Sequence, residues 1–436
     1  MLTYPMEQRG SLPLYEYLCR SIRSDILSGA LPAGTRLPSK RALAEHLRVS
    51  VITVEGAYSQ LEAEGYLQAR PKRGFFVSAV ERPLPAAEEP PAAVPLEPQS
   101  PQARLDLSRN RVDTARFPVS TWAKLTRQVL SEAPEALLSP VPHQGLPALR
   151  QAIADELRDL KGMAVSPSQI IIGAGAEYLY LLLAQLLGRD TAFAVEDPGY
   201  LRLSKIYEKN DVATYHIPMD EHGIIPEKLE ESGAEILHIT PSHHFPTGIV
   251  MPVSRRYEFL SWASKGENRY IIEDDYDCEF RLAGRPNPTL QSIDVMEKVI
   301  YINTFSKSLA PAFRISYLVL PKHLVTRFYD TLGFYSGTVS CLEQMTLARF
   351  LSEGYFEKHI NRMRIRYKQK KDLILKEMKR CGLLKLAKID AEDAGLHFLL
   401  RVCGPVPAEK ITRRAAENGD SVVIDFSGSV DGVKFE

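Results

Sequence analysis

Apolar residues near the start of the chain recur at helical spacing in three short stretches. Pro13–Gly29 carries them three or four residues apart and ends at a glycine, which predicts an amphipathic helix. Lys40–Leu47 follows Ser39, and Val51–Gly65 follows Ser50, so each of these two helices begins after a serine able to cap it. Two helices joined by a tight turn predict a helix-turn-helix, whose second helix enters the major groove of DNA.

Tyr66–Val77 changes to the shorter period of two strands around a basic turn. Arg70, Lys72 and Arg73 occupy the turn, and Gly74 lets the backbone approach a ligand closely. Such a hairpin predicts a wing whose cations contact phosphates or the minor groove. The pattern alone leaves open a small helical domain with a solvated basic hairpin.

From Leu105 onward, buried strands alternate with amphipathic helices such as Gly145–Leu160, which predicts a large α/β domain. The predicted strands, with the loops that follow them, are Gln169–Ala176, Ala192–Tyr200, Ile236–Gly248, Tyr270–Phe280 and Val299–Ser306. Polar residues follow the ends of these strands, and strand ends are where α/β folds place their ligands.

Lys307 lies just past one such strand end, in the stretch Tyr301–Arg314. A lysine there can form a Schiff base with an aldehyde, provided that its pKa is low enough to supply a neutral amine. Thr304 and Ser306 offer hydroxyl donors, and Arg314 offers a forked cation suited to phosphate. An aldehyde that also carries a phosphate is pyridoxal 5′-phosphate (PLP). The alternative is a surface lysine in a polar turn.

The acidic run in Tyr270–Phe280 favours the cofactor interpretation. A carboxylate buried against the pyridine nitrogen of PLP keeps that nitrogen protonated. Asp274 is the best candidate for this carboxylate, and Tyr276 is able to donate to the phenolic oxygen of the ring. Packed carboxylates also suit Mg²⁺ or Ca²⁺, but the run lacks the glycine-containing spacing of a calcium loop.

Other strand ends add candidates to this site. Gly175 and Ala176 precede a helix, whose N-terminal amides can cradle a phosphate. Tyr200 is available to stack on a flat ring. His243 and His244 are potential metal ligands, but adjacent residues on a loop rarely chelate together. We therefore expect no metal site, and a hydrogen bond from one of these histidines to the cofactor ring.

Composition excludes several classes of protein. The 436 residues suffice for two or more domains, and 54 basic residues balance 54 acidic ones. Residues 1–80 hold ten basic and seven acidic residues, a local net charge of +3. The five cysteines are scattered without a CxxC pair, which argues against a zinc site or a disulfide framework and for a reducing cytosol. With no stretch of about 18 apolar residues, we expect a cytoplasmic protein without a membrane partner.

Seven prolines in Glu81–Arg104 predict an extended linker that cannot build a core. At about 3.1 Å per residue, it spans at most roughly 70 Å. We expect a DNA-binding domain at residues 10–80, this linker at 81–104, and a sensor domain at 105–436. The linker either tethers the DNA-binding domain, lets it cross to a partner subunit, or is incidental.

The stretch LPSKRALAEHLRVSVITVEGAYSQLEAEGYLQARPKRGFFV resembles the winged helix-turn-helix of GntR-type transcriptional regulators along its whole length. This resemblance implies a double-stranded DNA operator as partner. The residues expected to contact DNA are Ser39, Lys40, Arg41, Ser50, Thr53, Arg70, Lys72, Arg73 and Gly74. Val51 and Glu55 stand where many relatives carry basic residues, so fewer direct guanine contacts are expected there.

The motifs EDPGY, TPSHHFPTG, EDDYDCEF and NTFSKSLAPAFR, in that order, resemble fold-type I aminotransferases. Combined with the N-terminal module, they resemble MocR/GabR-type regulators. The resemblance implies Lys307 as the Schiff-base lysine, Asp274 on the pyridine nitrogen and Tyr276 on the phenolic oxygen. The full set of expected cofactor-binding residues is Gly175, Ala176, Tyr200, His243, Asp274, Tyr276, Thr304, Ser306, Lys307 and Arg314. Such regulators commonly form head-to-tail dimers, so a homodimer is expected.

The chain also departs from the family pattern. His243-His244-Phe245 replaces the usual HQF, so the residue that faces the ring is open. The family's substrate-carboxylate arginine lies near the end of the chain, where Gly432–Glu436 resembles only the start of its strand. Either the chain is truncated or that arginine is absent, and Arg401 is the nearest alternative. Arg202 is the other candidate for contacting an amino-acid effector.

These inferences predict a DNA-binding regulator whose PLP-loaded, aminotransferase-like domain senses PLP itself or an amino compound. The alternative is a working aminotransferase with an accessory DNA-binding domain. A third interpretation is a regulator whose large domain no longer binds PLP.

Overall fold

The computed structural model describes residues 2–80, 116–280, 288–385, 387–390, 395–402, 429–430 and 433–434. The chain divides into two compact units, Met1–Pro101 and Gln102–Glu436. The predicted linker at 81–104 lies outside the described residues. Among the helices that are described, none is long and apolar enough to cross a membrane.

The N-terminal unit consists of three helices followed by a two-stranded hairpin. Its elements are α1 (Leu14–Ser28), α2 (Lys40–Leu47), α3 (Val51–Ala63), β1 (Leu67–Arg70) and β2 (Gly74–Val77). The hairpin is antiparallel, with Leu67 opposite Val77 and Arg70 opposite Gly74. The winged helix-turn-helix predicted from the sequence is therefore confirmed.

A small apolar core holds this unit together. Leu18 and Ile22 of α1 pack with Val54 and Leu61 of α3, and all four side chains are buried. Tyr58 is also buried and donates a hydrogen bond to the carbonyl of Pro38 at 3.0 Å, which connects α3 to the start of α2. Burying each large apolar side chain stabilises the fold by about 1.5–3 kcal/mol.

The larger unit contains twelve described helices, most of which connect strands of one sheet. The helices are α4 (Val119–Glu132), α5 (Pro134–Leu138), α6 (Pro147–Lys161), α7 (Ala176–Leu187), α8 (Leu201–Glu208), α9 (Pro226–Ser232), α10 (Val253–Ser264), α11 (Leu290–Ile293), α12 (Phe305–Ser308), α13 (Lys322–Leu332), α14 (Cys341–Ser352) and α15 (Tyr355–Arg380).

Eight strands form the main sheet, in the spatial order β3-β10-β9-β8-β7-β4-β5-β6. They are β3 (Ile170–Gly173), β4 (Phe193–Asp197), β5 (Thr214–Asp220), β6 (Gly223–Ile224), β7 (Ile236–Ile239), β8 (Tyr270–Asp274), β9 (Val299–Thr304) and β10 (Ser316–Val319). β10 runs antiparallel to both of its neighbours, β3 and β9, and β6 runs antiparallel to β5. The remaining neighbours are parallel, so the predicted α/β class is confirmed.

Both faces of the sheet are covered, as the side-chain alternation of β9 illustrates. Ile300 and Ile302 enter a core cluster with Leu183 of α7, whereas Tyr301 enters a different cluster with Ile153 of α6. Successive side chains of a strand point to opposite faces. A strand covered on both faces carries apolar residues continuously, which is why Val299–Ile302 has no polar interruption.

Two small hairpins follow the sheet along the chain. They are formed by β11 (Ala387–Asp390) with β12 (Leu399–Val402), and by β13 (Ser429–Val430) with β14 (Val433–Lys434). The extended segment expected within Gly432–Glu436 is thus a short strand at Val433–Lys434.

Candidate functional site

The candidate residues converge at one edge of the main sheet because of the direction of β10. β3, β8 and β9 end at this edge, and the antiparallel β10 begins there. Ser316, the first residue of β10, pairs with Gly173 on one side and with Thr304 on the other. This register brings the turn after β3, the turn after β9 and Arg314 to a single place.

Lys307 lies in α12, three residues after the end of β9, and is partly buried. Burial lowers the pKa of its ammonium to about 8, and the carboxylate of Asp277 opposes this shift. At pH 7 roughly a tenth of such a lysine is the neutral amine, against less than a thousandth at the ordinary lysine pKa of about 10.4. The neutral form is the nucleophile that attacks an aldehyde.

Three hydroxyl groups form a cluster beside this lysine. Ser316 donates to Thr304 Oγ1 at 2.7 Å, and Thr304 Oγ1 lies 2.8 Å from the hydroxyl of Ser306. Thr304 also caps α12 by accepting the backbone N–H of Ser306 at 3.2 Å. Thr304 and Ser306 were both predicted from the sequence, but Ser316 was missed because it belongs to a strand whose direction the sequence did not reveal.

The turn after β3 and Arg314 form the opposite side of the candidate phosphate cradle. Gly175 has φ +91° and precedes α7, which begins at Ala176. A side chain at position 175 would place its Cβ 2.6 Å from Nη2 of Arg314, so the guanidinium lies directly over this glycine. The first N–H groups of a helix lack intrahelical acceptors and favour an anion. Two sequence candidates, the glycine turn and Arg314, are therefore brought together.

Glu177 joins Arg314 to the predicted effector residue Arg202. Its two carboxylate oxygens accept hydrogen bonds from Arg202 at 2.9 Å and from Arg314 at 3.0 Å. These two arginines hold the pKa of Glu177 below its ordinary value. Arg401, the other effector candidate, lies in β12 and binds Asp390 of β11 at 2.7 Å. The effector roles of Arg202 and Arg401 stay predictions.

Asp274 ends β8 in a buried position with partners that the sequence did not indicate. The hydroxyl of Tyr180 donates to Asp274 Oδ2, and Nε2 of His238 lies 3.7 Å from the same oxygen. His238 is in turn hydrogen-bonded through Nδ1 to the hydroxyl of Tyr207 at 2.7 Å. Burial and the neighbouring Asp274 carboxylate raise the pKa values of both tyrosines, which keeps them as donors. Such a buried network fixes the orientation of the carboxylate.

The successive acids of the run Glu273–Asp277 have different partners. Glu273 accepts the backbone N–H groups of Leu290 and Gln291. Asp275 pairs with Lys161 and accepts a hydrogen bond from Tyr301. The run therefore does not gather its carboxylates into the single oxygen-rich magnesium or calcium site that was weighed as an alternative.

Tyr276 and His243 lie next to each other at this edge of the sheet. Their rings are nearly parallel with centroids 6.2 Å apart, and the Tyr276 hydroxyl is 3.5 Å from Nδ1 of His243. His243 forms a shorter hydrogen bond, at 2.7 Å, with Asp277. Tyr200 directly precedes α8 and is 42% exposed. Contacts of these residues with a cofactor stay predictions.

His244 has partners separate from those of His243, although the two are adjacent in sequence. Its Nδ1 lies 2.6 Å from the hydroxyl of Thr247, and its Nε2 lies 3.4 Å from Glu196. Burial lowers the pKa of His244 to about 4 and raises that of Glu196 to about 8. Both groups are thus largely neutral near pH 7, as buried groups without full pairing tend to be.

The residues of the N-terminal unit predicted to contact DNA comprise two helix-capping serines, one ion-paired lysine and several exposed or partly exposed positions. Ser39 accepts the N–H of Ala42, and Ser50 accepts the N–H of Thr53, so both serine hydroxyls cap helices. Lys40 forms an ion pair with Glu55 at 2.6 Å. The remaining predicted positions are exposed or partly exposed on α2, α3 and the wing, namely Arg41, Thr53, Arg70, Lys72, Arg73 and Gly74.

The groups at the sheet edge suit the chemistry of PLP. Lys307 supplies an amine of lowered pKa, Asp274 supplies a buried carboxylate, and the opposite side supplies a guanidinium over a glycine turn at a helix start. These three features correspond to the aldehyde, the ring nitrogen and the phosphate of the cofactor.

Two protein-family models match the chain. The family of bacterial regulatory proteins known as gntR matches residues 14–77, and aminotransferase class I and II matches residues 102–417. Together these ranges contain the winged helix-turn-helix and nearly all of the described part of the larger unit.

Several curated proteins are similar to the chain over most of its length. The HTH-type transcriptional regulator YdeL of Bacillus subtilis is 38% identical over 94% of this chain and 88% of its own. The probable rhizopine catabolism regulatory protein MocR of Rhizobium meliloti is 31% identical over 95% of this chain and 87% of its own. The HTH-type pyridoxine biosynthesis transcriptional regulator PdxR of Corynebacterium glutamicum is 30% identical over 93% and 86%.

Solved aminotransferase structures share the fold of the larger unit. The multiple substrate aminotransferase of Thermococcus profundus superposes with a TM-score of 0.62, covering 71% of this chain and 78% of that one at 24% identity. At this level of identity the likeness concerns the fold, and the function of the site must be argued from its residues.

Proposed function

The chain belongs to the MocR-like HTH-type transcriptional regulators, which join a GntR DNA-binding domain to a class I and II aminotransferase domain, and from that premise we propose that its PLP site serves as a sensor. The protein is a PLP-dependent DNA-binding regulator. The effector that the sensor recognises is PLP itself or an amino compound that reacts with it.

The single observation that carries this proposal is the environment of Lys307. A partly buried lysine with a pKa of about 8 is poised to react with an aldehyde near neutral pH. Bound PLP supplies an aldehyde that condenses reversibly with amines, and a ring that withdraws electrons when its nitrogen is protonated. Lys307 provides the amine that anchors the aldehyde, and Asp274 provides the negative charge that keeps the ring nitrogen protonated.

The phosphate is held by groups from both sides of the sheet edge. Arg314 would donate from its guanidinium and Thr304 and Ser306 from their hydroxyls, and the N–H groups at the start of α7 would complete the cradle. Charge-assisted hydrogen bonds of this kind contribute about 1.5–3 kcal/mol each. The resulting affinity for PLP would allow the protein to respond to the concentration of the cofactor.

Glu177 couples the proposed phosphate site to Arg202, the proposed effector-binding arginine. Its carboxylate is shared between Arg314 and Arg202. A phosphate that engages Arg314 competes with Glu177 for the same N–H groups, which leaves the carboxylate to Arg202 alone. Phosphate binding thereby changes how strongly Arg202 is held, and Arg202 is the residue that we propose contacts the carboxylate of an amino-acid effector.

We further propose that the regulator acts as a head-to-tail homodimer that presents two DNA-binding domains to paired half-sites. When one DNA-binding domain is bound, the linked second domain has a raised effective concentration at the neighbouring half-site. The dimer therefore binds paired half-sites far more tightly than single ones. The name of the relative PdxR, a pyridoxine biosynthesis regulator, supports PLP itself as one candidate effector.

Borohydride reduction of the PLP-loaded full chain tests the site. Reduction fixes the cofactor on the reacting lysine, and peptide mass mapping then identifies that residue. We expect the label on Lys307 and its loss in Lys307→Ala. The matched control is Lys298→Ala, because Lys298 is also partly buried but binds the backbone carbonyls of Gly266 and Glu267. A label on Lys298, or one retained in Lys307→Ala, would show that the site is wrongly assigned.

Fluorescence anisotropy with operator-sized DNA tests the regulatory function. We expect PLP to change the affinity of the wild-type chain for paired half-sites and to leave the affinity of Lys307→Ala unchanged. A PLP effect of equal size in both proteins would contradict a sensor that depends on this lysine.

A further inference from the structure

A second cluster of ligating groups lies beside the proposed cofactor site and shares with it His243, which the sequence predicts to face the cofactor ring. One ligand atom from each of His243, Asp277 and His397 lies within 4.8 Å of the other two. We propose that these three residues bind a first-row divalent cation, with Zn²⁺ as the best match. The proposal departs from the expectation, drawn from the sequence, that the chain has no metal site.

The fold brings these residues together from three distant segments. His243 lies in the loop after β7, Asp277 follows β8, and His397 lies shortly before β12. Because β7 and β8 are parallel neighbours, the loops that follow them meet at the same edge of the sheet. His397 is 120 positions beyond Asp277 in the sequence, so its position beside the other two residues depends on where the segment that contains it packs.

Gly395 allows that segment to approach closely. It has φ +64°, and a Cβ at this position would lie 2.2 Å from Nδ1 of His243 and 2.8 Å from Oδ2 of Asp277. No side chain fits at those distances, so only glycine permits His397 to reach the other two residues. The rings of His243 and His397 then lie with centroids 4.1 Å apart.

The cluster contains buried nitrogen atoms that its own hydrogen bonds do not satisfy. Within the described residues, Nε2 of His243 and Nε2 of His397 are both inaccessible to solvent and have no hydrogen-bond partner. His243 is only 4% exposed. Leaving a buried polar atom unpaired costs about 1–3 kcal/mol. A cation that accepts a lone pair removes this cost.

The other hydrogen bonds of the two imidazoles favour the form that binds metals. Nδ1 of His243 is hydrogen-bonded to Asp277 at 2.7 Å, and His397 interacts with the backbone of Pro246. A ring that donates through Nδ1 carries its lone pair on Nε2. Histidines that ligate metals almost always donate their other ring nitrogen to a carbonyl or a carboxylate in this way.

The potential ligand atoms of the cluster, which lie within 4.8 Å of one another, are wider apart than the ligands around a bound cation. The 2.7 Å contact between Nδ1 of His243 and Oδ2 of Asp277 is a hydrogen bond that orients the His243 ring. Two ligands bound at about 2.1 Å and at right angles are about 3 Å apart, and at tetrahedral angles about 3.4 Å apart. A separation of 4.8 Å must therefore close by roughly 1.4 Å when a cation binds.

The donor set selects the class of cation. Two imidazoles and one carboxylate suit Zn²⁺ and its first-row neighbours, whereas Mg²⁺ and Ca²⁺ prefer oxygen ligands alone. Three protein ligands leave at least one coordination position open, as in zinc sites that bind a ligand. Asp277 and His397 also act electrostatically on Lys307, so the cation would lie next to the proposed cofactor site.

Isothermal titration of the full chain with ZnCl₂, after treatment with a chelator and dialysis, tests this site directly. We expect one equivalent of Zn²⁺ to bind the wild type and the affinity to fall at least about 100-fold in His397→Ala and in Asp277→Asn. The matched control is His222→Ala, which removes an exposed histidine beside Glu221 and should bind like the wild type. Co²⁺ should give the visible absorption bands of a low-coordinate site only in proteins that retain the cluster.

A further variant separates ligand loss from general damage. Gly395→Ala keeps all three ligands but forces them apart, so it should weaken Zn²⁺ binding. Because Gly395 has φ +64°, thermal unfolding of the metal-free protein is measured alongside to report the backbone strain. Binding of Zn²⁺ to wild type and His397→Ala with equal affinity, or no stoichiometric binding to the wild type, would overturn the proposal. The titration is made without PLP, so a negative result leaves the borohydride mapping of Lys307 unaffected.

Discussion

Substitution of Gly175 by alanine is expected to weaken PLP binding by about 10- to 100-fold. The Cβ of an alanine would lie 2.6 Å from Nη2 and 2.7 Å from Cζ of Arg314. Because these atoms are the far end of a flexible side chain, the fold can relieve the clash by moving the guanidinium away. That movement costs the cradle its charged phosphate donor, a loss of about 1.5–3 kcal/mol. Each 1.4 kcal/mol corresponds to a tenfold change in affinity.

The backbone strain of this substitution must be separated from its effect on the cradle. Gly175 has φ +91° and ψ 161°, a region that is almost exclusive to glycine and costs other residues about 1–3 kcal/mol. Gly188, at the opposite end of the same helix, has φ +103° and ψ 141°. A Cβ there meets only Thr191 Oγ1, at an ordinary 3.5 Å. Gly188→Ala therefore introduces similar strain without disturbing Arg314.

Titration of each full-length variant with PLP, followed by imine absorbance, compares the two substitutions. Thermal unfolding of the cofactor-free proteins reports the strain, and we expect similar losses of stability for both. Only Gly175→Ala should lose PLP affinity. Wild-type affinity in Gly175→Ala, or an equal loss in Gly188→Ala, would refute the assignment of Arg314 and the glycine turn to the phosphate.

Two further predictions follow from charges in the two units. Since the pKa of Lys307 is lowered to about 8, its neutral amine becomes abundant at lower pH than that of an ordinary lysine. The rate of imine formation, measured by stopped-flow absorbance, should therefore rise about tenfold from pH 6 to 7 and level off above pH 8. A rise that continues to pH 10 would contradict the lowered pKa. Because Glu55 pairs with Lys40, Glu55→Gln should free this cation and tighten DNA binding. The salt dependence of the DNA affinity should become steeper by about 0.9 units per added phosphate contact. Glu45→Gln, on the exposed side of α2, is the charge-matched control, and equal anisotropy titrations for both variants would argue against a role for the Lys40–Glu55 pair.

Residues that follow strands were the part of the candidate site that the sequence revealed. Lys307, Asp274 and Gly175 each come within a few residues of the end of an apolar run, and parallel strands bring such positions to one edge. The same logic located the helix-turn-helix, where two serines mark helix starts that the structure confirms at Lys40 and Val51. Local patterns therefore sufficed wherever a residue's place depends on its own strand or helix.

Partners supplied by other elements were not visible in the sequence. Tyr180 lies on a helix 94 positions before Asp274, and nothing in its own surroundings indicates that its hydroxyl binds this carboxylate. Glu177 was likewise missed as the acceptor shared by two arginines that were each identified separately. Such contacts depend on which helix covers which strand, and an apolar helix face is compatible with several packings.

The acidic run shows why adjacency in sequence is a poor guide to shared chemistry. In Glu273–Asp277 the side chains of β8 alternate between the two faces of the sheet, so neighbouring carboxylates are carried apart. Asp275 is thus neutralised by Lys161 on one side, while Asp274 is held by Tyr180 on the other. Asp277 lies in the loop after β8 and forms a hydrogen bond with His243, which lies in the loop after the neighbouring strand β7. Groups that share a site in this fold come mostly from equivalent ends of neighbouring strands. This rule brings Lys307 and Asp274 to one edge of the sheet, and it also brings together His243 and Asp277 of the proposed cation site.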